Sequence, residues 1–118
     1  MPSYLNGKTI RLRCKKDYLG AHNHVIIGRV VEENASYIAV IGRSFHFTSI
    51  LDKTSKINTG REAIRVIPWG NVELIHWLGD DPKVDWNAKV KFDEKEVRFI
   101  LTDDAKTVIA GRNDGITT

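Results

Sequence analysis

The sequence predicts a mainly β protein built around a small five-stranded barrel. Residues 8–16 alternate apolar and polar side chains, which is the period of a half-buried strand. Residues 25–47 contain two runs rich in β-branched residues around a short turn, which is typical of a hairpin. Residues 63–78 contain two further strand-like runs, separated only by Pro68-Trp69-Gly70.

The composition fits a single packed domain. The chain has 118 residues, of which 42% are hydrophobic and 28% charged, so a core can form. Cys14 is the only cysteine, which excludes an intramolecular disulfide and a cysteine-built zinc site. The first ten residues lack a signal-peptide pattern, and no stretch approaches the roughly 18 apolar residues of a membrane helix. We therefore expect a soluble, cytoplasmic protein.

The charge is unevenly distributed. The net charge is +3, with 11 Lys and Arg against 6 Asp and Glu in residues 1–78, and 7 against 9 in residues 79–118. A basic body favours an anionic partner. Solubility alone explains the excess equally well.

The first predicted strand has one apolar and one basic side. Ile10, Leu12 and Cys14 share the predicted core side. The opposite side is polar and consists of Thr9, Arg11, Arg13 and Lys15.

The hairpin spans residues 25–47. Gly28 in its first arm predicts a bend or a bulge, because tightly coiled sheets need one. Residues 33–36 predict the turn, and residues 37–47 the returning strand.

A polar loop is predicted for residues 48–61, followed by a sharp corner. Pro68 cannot donate to a ladder, so it ends the fourth strand, and a single 3₁₀ turn swings the chain into the fifth. The alternation then puts Val72, Leu74, His76 and Leu78 on an inward-facing row. Five strands closed by such a corner describe an SH3-like or Sm-like barrel.

Residues 79–118 predict a β extension packed on the barrel, which we treat as a second region after residues 1–78. Three short strands lie at 88–92, 96–101 and 107–111, separated by turn-forming residues. A helix over 93–101 is the alternative. The last seven residues predict a loose end.

Residues 5–78 resemble the Sm-like family of small β-barrels, the LSm and Hfq type. "LNGKTIRLRC" resembles the opening strand of that family, "GRVVEENASYIAV" its first motif, and "VIPWGNVELI" its strand–3₁₀–strand second motif. The resemblance implies a barrel whose open edge strands pair into homo-oligomeric rings.

The family's RNA-binding residues do not carry over. Its acidic position falls on Asn34, and its base-contacting asparagine on Ile38. The arginine-glycine pair that grips RNA falls on Pro68 and Trp69. An offset alignment brings Arg65 near that site, but Val66 follows it instead of glycine.

The first candidate site is the basic side of the first predicted strand, which carries Arg11, Arg13 and Lys15. Same-face neighbours on a strand lie about 6.6 Å apart, which is similar to the spacing of phosphates in single-stranded nucleic acid. Tyr37 and Phe45 are candidate stacking platforms. The alternative is a solvated strand face that discourages edge pairing. The candidate nucleic-acid-binding residues are Arg11, Arg13, Lys15, Arg29, Arg43 and Arg65.

Histidines and tryptophans form two further sets. The histidines are His22, His24, His46 and His76, and the first three are spaced so that they could converge on a metal. His76 is predicted to face inward, and no cysteine or carboxylate pattern reinforces the set, so we predict no metal site and no cofactor. The tryptophans are predicted to pack within the protein, with an exposed interface anchor as the alternative. They are Trp69, Trp77 and Trp86.

No catalytic pattern is present. Cys14 is predicted to be buried, and Asp80-Asp81 and Asp103-Asp104 occupy turns, where aspartate is favoured for its bonds to the backbone. We therefore predict a non-catalytic module that binds single-stranded RNA weakly and electrostatically, and the resemblance to the Sm-like family implies that it is homo-oligomeric. The alternative is a protein-interaction or oligomerisation module without nucleic acid.

Overall fold

The computed structural model describes residues 4–16, 23–47, 57–79 and 83–111, and within these ranges the chain is mainly β, without an α-helix. The strands are β1 (Thr9–Cys14), β2 (Asn23–Glu33), β3 (Tyr37–Phe47), β4 (Ile57–Thr59), β5 (Ala63–Pro68), β6 (Val72–Trp77), β7 (Val90–Asp93), β8 (Arg98–Leu101) and β9 (Val108–Gly111). A single 3₁₀ turn, Trp69–Asn71, joins β5 to β6.

The larger sheet is antiparallel and has six strands. Its order is β4-β3-β2-β1-β6, and β5 pairs with the same edge of β3 as β4 does: β5 lies along residues 37–42 at the start of that strand and β4 along residues 45–47 at its end. Among the residues with described positions, β5 and β6 form no ladder with each other. The β prediction is confirmed, but the described strands do not close into the predicted barrel.

The predicted hairpin is confirmed as β2 and β3, which pair along nearly their whole length. Its turn is fixed by Asn34, whose Oδ1 accepts from the backbone N–H groups of Ser36 at 2.9 Å and Tyr37 at 3.0 Å. The bulge lies at Val31, where the register shifts, and not at Gly28.

Gly28 is required for a different reason. It lies opposite Gly42 in β3, and the two backbones approach so closely that a Cβ on either glycine would overlap a carbonyl oxygen of the other strand. A side chain at either position would therefore force the two strands apart.

The corner at Pro68 is confirmed. Pro68 is the last residue of β5, and the 3₁₀ turn follows at once. Trp69 holds the corner in place, because its Nε1–H donates to the carbonyl of Asn34 in the hairpin turn at 2.6 Å. Its ring packs against the apolar interior, as predicted.

The prediction that Val72, Leu74, His76 and Leu78 face inward is correct only for Val72. The β1–β6 register shifts between Arg13 and Cys14, which leaves Glu73 as an extra residue. Val72 and Ile75 therefore face the interior, and His76 lies opposite Arg11 on the other face.

One apolar cluster lies on one face of the larger sheet. We term it the inner cluster: Ile10, Leu12, Ile26, Val30, Ile38, Val40 and Ile67. Ile10 and Leu12 are fully buried, and each such side chain contributes about 1.5–3 kcal/mol of transfer free energy.

The C-terminal extension forms a second, three-stranded antiparallel sheet in the order β7-β8-β9. Its three strands match the predicted ones, and the alternative helix over 93–101 is wrong. It covers the other side of β2 and β3 through the outer cluster. The buried members of this cluster are Val25, Ile27, Phe45, Phe47, Phe99, Leu101, Ile109 and Ala110.

The predicted loop over 48–61 needs one correction. Its segment Ile57–Thr59 is strand β4, paired with Phe45–Phe47 of β3. Residues 48–56 lie outside the described part of the chain.

Candidate functional site

Arg43 joins the larger sheet to the segment that precedes β7. Its Nη1 donates to the carbonyls of Trp86 at 3.0 Å and Ala88 at 3.2 Å, and its Nε donates to the carbonyl of Gly60 at 3.2 Å. The guanidinium also lies 5.5 Å from the centre of the Phe45 ring. Because guanidinium donates up to five hydrogen bonds from a rigid fork, it can satisfy several carbonyls at once.

Arg65 and Arg11 are engaged in the same way. Arg65 donates to the carbonyls of Gly42 at 2.8 Å, Arg61 at 2.8 Å and Ala63 at 3.3 Å. Arg11 donates to the carbonyl of Val108 in the second sheet at 3.2 Å. Three of the six predicted nucleic-acid-binding residues thus bind backbone of their own chain.

The remaining three candidates are one ion-paired residue, Arg13, and two exposed residues, Lys15 and Arg29. Arg13 forms an ion pair with Glu73 at 3.3 Å, and its side chain is only 15% exposed. Lys15 and Arg29 are exposed. Arg11 and Arg13 lie on the same face of the sheet as Ile27 and Val25, the residues opposite them on β2. The second sheet covers this face, so the expected solvent-facing row is not formed.

The aromatic residues do not line a basic surface either. Phe45 is fully buried in the outer cluster, so it offers no stacking face to a base. Tyr37 is half-buried. Trp86 packs against the outer cluster and donates from Nε1 to Glu62 at 2.9 Å, which confirms its predicted packing role.

Two histidines of the predicted set meet. His24 and His46 face each other across β2 and β3, with ring centres 4.0 Å apart and planes inclined by 22°. Burial, together with the neighbouring His46 and Arg65, lowers the pKa of His24 from 6.5 to about 4. His22 lies outside the described residues, and those that are described contain no group of three or more potential metal ligands.

Cys14 lies at the end of β1 and packs against the inner cluster. Burial raises the pKa of its thiol, so it favours the protonated, unreactive form. This agrees with its predicted role as a small apolar side chain.

The strongest candidate surface is the outer edge of β5. This strand pairs only with β3 among the described strands, so its other edge has no ladder partner there. Ile64 and Val66 lie two residues apart on one face of this strand, and they are 62% and 58% exposed. Large apolar side chains on an open strand edge are unusual, since such edges invite pairing with another chain.

A second open edge lies on β6, at the other end of the strand order. Within the described ranges β6 pairs only with β1. Trp77, its last residue, is 57% exposed, and Lys8 lies 4.6 Å from the centre of its ring. This tryptophan is the exposed one that the sequence left as an alternative.

Comparison of the chain with protein-family models, with curated proteins and with solved structures finds no match. No helix in the described part of the chain is long and apolar enough to span a membrane.

Proposed function

We propose that this chain is a non-catalytic, Sm-like β module that assembles with further copies of itself. In this assembly the β5 edge of one copy pairs with the β6 edge of the next. The observation that carries the proposal is that two six-residue strands each have one edge without a ladder partner among the described strands. Strand β5 bears the exposed side chains of Ile64 and Val66, and β6 bears that of Trp77. The strand order, with a 3₁₀ corner between β5 and β6, supports the Sm-like interpretation.

The charges near both edges are held by their own sheet. Arg65 of β5 is turned back onto three carbonyls of its own chain, and Glu73 of β6 is paired with Arg13. Natural proteins protect open edges with outward-pointing charges, prolines or bulges. Here Pro68 ends β5 and the bulge at Glu73 lies near the start of β6, so both of these devices are confined to the corner. Arg65, the one charged residue within β5, is held by carbonyls of its own chain, which supports pairing along the rest of that edge.

The two edges differ, so the contact is head-to-tail. Such heterologous contacts produce rings when the rotation between copies closes, and filaments when it does not. Backbone hydrogen bonds supply affinity in this mode of strand addition, and the exposed side chains supply specificity.

The experiment measures molar mass by light scattering for three proteins. The wild type should be oligomeric, and the β5-edge variant Ile64→Lys/Val66→Lys should be monomeric, because two ammonium groups would be desolvated in the pairing. Val31→Lys is the matched control: Val31 is also exposed and apolar, at 44%, but β2 has strands on both sides. It should assemble like the wild type.

A mixing experiment tests the head-to-tail geometry. Trp77→Lys should disable the β6 edge and leave the β5 edge intact. Each variant alone should be monomeric, whereas an equimolar mixture of the β5-edge and β6-edge variants should form a dimer. A wild type that stays monomeric at high concentration would disprove assembly, and two variants that remain separate would disprove the head-to-tail contact.

Binding of single-stranded RNA is the second candidate function. The excess of cations over residues 1–78 and the exposure of Lys15 and Arg29 favour it. Polarisation of labelled RNA should then rise on addition of protein and fall steeply with salt. Lys15→Ala/Arg29→Ala should weaken this signal, whereas no binding at low salt would leave assembly as the only proposed function.

A further inference from the structure

The exposed apolar side chains of β5 lie on the outer face of the larger sheet, which carries the outer cluster. Ile64 lies opposite Ile41 of β3, and Ile41 is four residues before Phe45 of that cluster. Residues an even number of positions apart on a strand share a face, and so do residues directly opposite on neighbouring strands. Ile64 and Val66 therefore belong to the outer face, and both remain exposed there.

The exposed side chain of β6 lies on the inner face instead. Trp77 lies opposite Ile10 of β1, and Ile75 lies opposite Leu12. Both β1 residues belong to the inner cluster, so Trp77 and Ile75 share its face. When β5 of one copy pairs with β6 of another, these apolar rows meet only if the second copy is turned over, so that its inner face continues the outer face of the first.

The strand directions link this turnover to the direction of pairing. The path from β5 to β6 crosses four ladders, β5–β3, β3–β2, β2–β1 and β1–β6, and each is antiparallel. The two strands therefore run in the same direction within one copy. A second copy that presented the same face would add its β6 in parallel to β5. Turning that copy over reverses its strand direction and makes the ladder antiparallel, which is the more stable arrangement per residue.

We propose that the β5 edge of one copy pairs antiparallel with the β6 edge of a turned-over copy, and that Trp77 of the second copy packs against Ile64 of the first. This contact rests on the head-to-tail assembly proposed above and adds its direction, its register and its side-chain partners. The exposed indole ring then contacts aliphatic side chains across the junction, where aromatic residues contribute most to interfaces.

One register gives both exposed side chains of β5 an apolar partner. With Ile64 opposite Trp77, Val66 lies opposite Ile75, and such cross-strand pairs stabilise a ladder. A shift by one residue would move every side chain to the wrong face. A shift by two residues in either direction would place one of the β5 side chains opposite a residue that cannot replace this contact, Glu73 or Gly79.

The same register collects the two irregular positions of the edges at one end of the ladder. Pro68, which has no N–H to donate, would lie opposite Glu73, the extra residue of the β6 bulge. Residues 64–67 would then pair with residues 74–77 without interruption. Parallel pairing would place the proline and the bulge at opposite ends, so that each would disturb a different part of the ladder.

Disulfide trapping tests the contact in full chains from which Cys14→Ala has removed the native thiol. One variant then carries Ile64→Cys and another Trp77→Cys, and the two are mixed in equal amounts under mild oxidation. Directly opposite residues of an antiparallel pair have Cα atoms about 4.5–5.5 Å apart, which suits a disulfide. The mixture should form a covalent dimer, and neither variant should do so alone.

A mixture of Ile64→Cys with Leu74→Cys is the matched control. Leu74 lies opposite Arg13 on the outer face, so it would approach Ile64 only in parallel pairing. This mixture should stay non-covalent, and a covalent dimer in it would overturn the antiparallel contact. Light scattering of the Cys14→Ala chain separates the two levels: an oligomer without the cross-link between positions 64 and 77 would overturn this contact alone, whereas a monomer would overturn the assembly as well.

Discussion

Strands β2 and β3 are buried on both faces, and the two faces achieve this differently. On the inner face the buried cluster is aliphatic and comes from strands of the larger sheet itself, and two glycines allow β2 and β3 to approach closely. On the outer face Phe45 and Phe47 of β3 share a cluster with Phe99 of the second sheet. One face is thus buried by side chains of its own sheet, whereas the other is filled by large side chains from two facing sheets.

The difference also determines where the arginines lie. The outer face meets loop and strand-end carbonyls of the extension, and Arg11 and Arg43 satisfy those carbonyls. The inner face has a polar end instead, where His24 and His46 stack beyond the paired glycines. The following predictions test the two faces separately.

Removal of the Phe99 ring should have the largest effect. Phe99 is 2% exposed and contacts Phe47 and Phe92, with ring centres 5.5 Å and 5.4 Å apart. Phe99→Ala should lower the free energy of unfolding by about 4 kcal/mol, because it leaves a cavity between the sheets. Urea denaturation followed by tryptophan fluorescence measures this. Phe99→Leu should cost much less, and equal losses would contradict a packing role.

Addition of one methyl group to the inner face should be nearly as damaging. In Gly42→Ala the new Cβ would overlap the Ile27 carbonyl oxygen, and we expect a loss of about 3 kcal/mol. Gly70→Ala is the control, because a Cβ at Gly70 has no neighbour within 4 Å among the described atoms. The same urea titration compares them. A stable Gly42→Ala variant would show that the strands can separate without cost.

The smallest effect concerns pH. The pKa of His24 is about 4 in the folded protein and 6.5 in the unfolded chain, so between these values the unfolded chain binds more protons. Stability should therefore be complete above pH 6.5 and fall as the pH decreases towards 4. The loss should be about 1–2 kcal/mol after allowance for solvent screening.

The control for this prediction is His24→Gln, which has no titrating group at that position. The difference in unfolding free energy between wild type and variant should change across this pH window. A constant difference would show that His24 titrates alike in both states.

Most strands could be predicted because their signals are local. The hairpin, the corner at Pro68 and the three C-terminal strands follow from alternation, β-branched residues and turn formers within short windows. Strand β4 was missed because its three residues lie in a polar segment. The bulge at Glu73 was missed because nothing in the local pattern marks it, and it reversed the faces of Ile75 and His76.

The placement of the candidate site could not be predicted in the same way. Alternation separates Arg11 and Arg13 from Ile10 and Leu12, but it does not tell which face another part of the chain will cover. Here the cover comes from residues 83–111, far away in sequence. The open edges of β5 and β6 likewise depend on the strand order, which is a property of the whole sheet.

The arginine–carbonyl contacts have a consequence for which sequences can support this junction. Arg43 donates to main-chain carbonyls, which every residue carries, so the side chains of Trp86 and Ala88 play no part in these hydrogen bonds. Substitutions at either position can therefore leave the hydrogen bonds in place, whereas lysine in place of Arg43 would lack the rigid fork that reaches three carbonyls at once. The chemical requirement at this junction rests on one side chain, and the backbone supplies its partners.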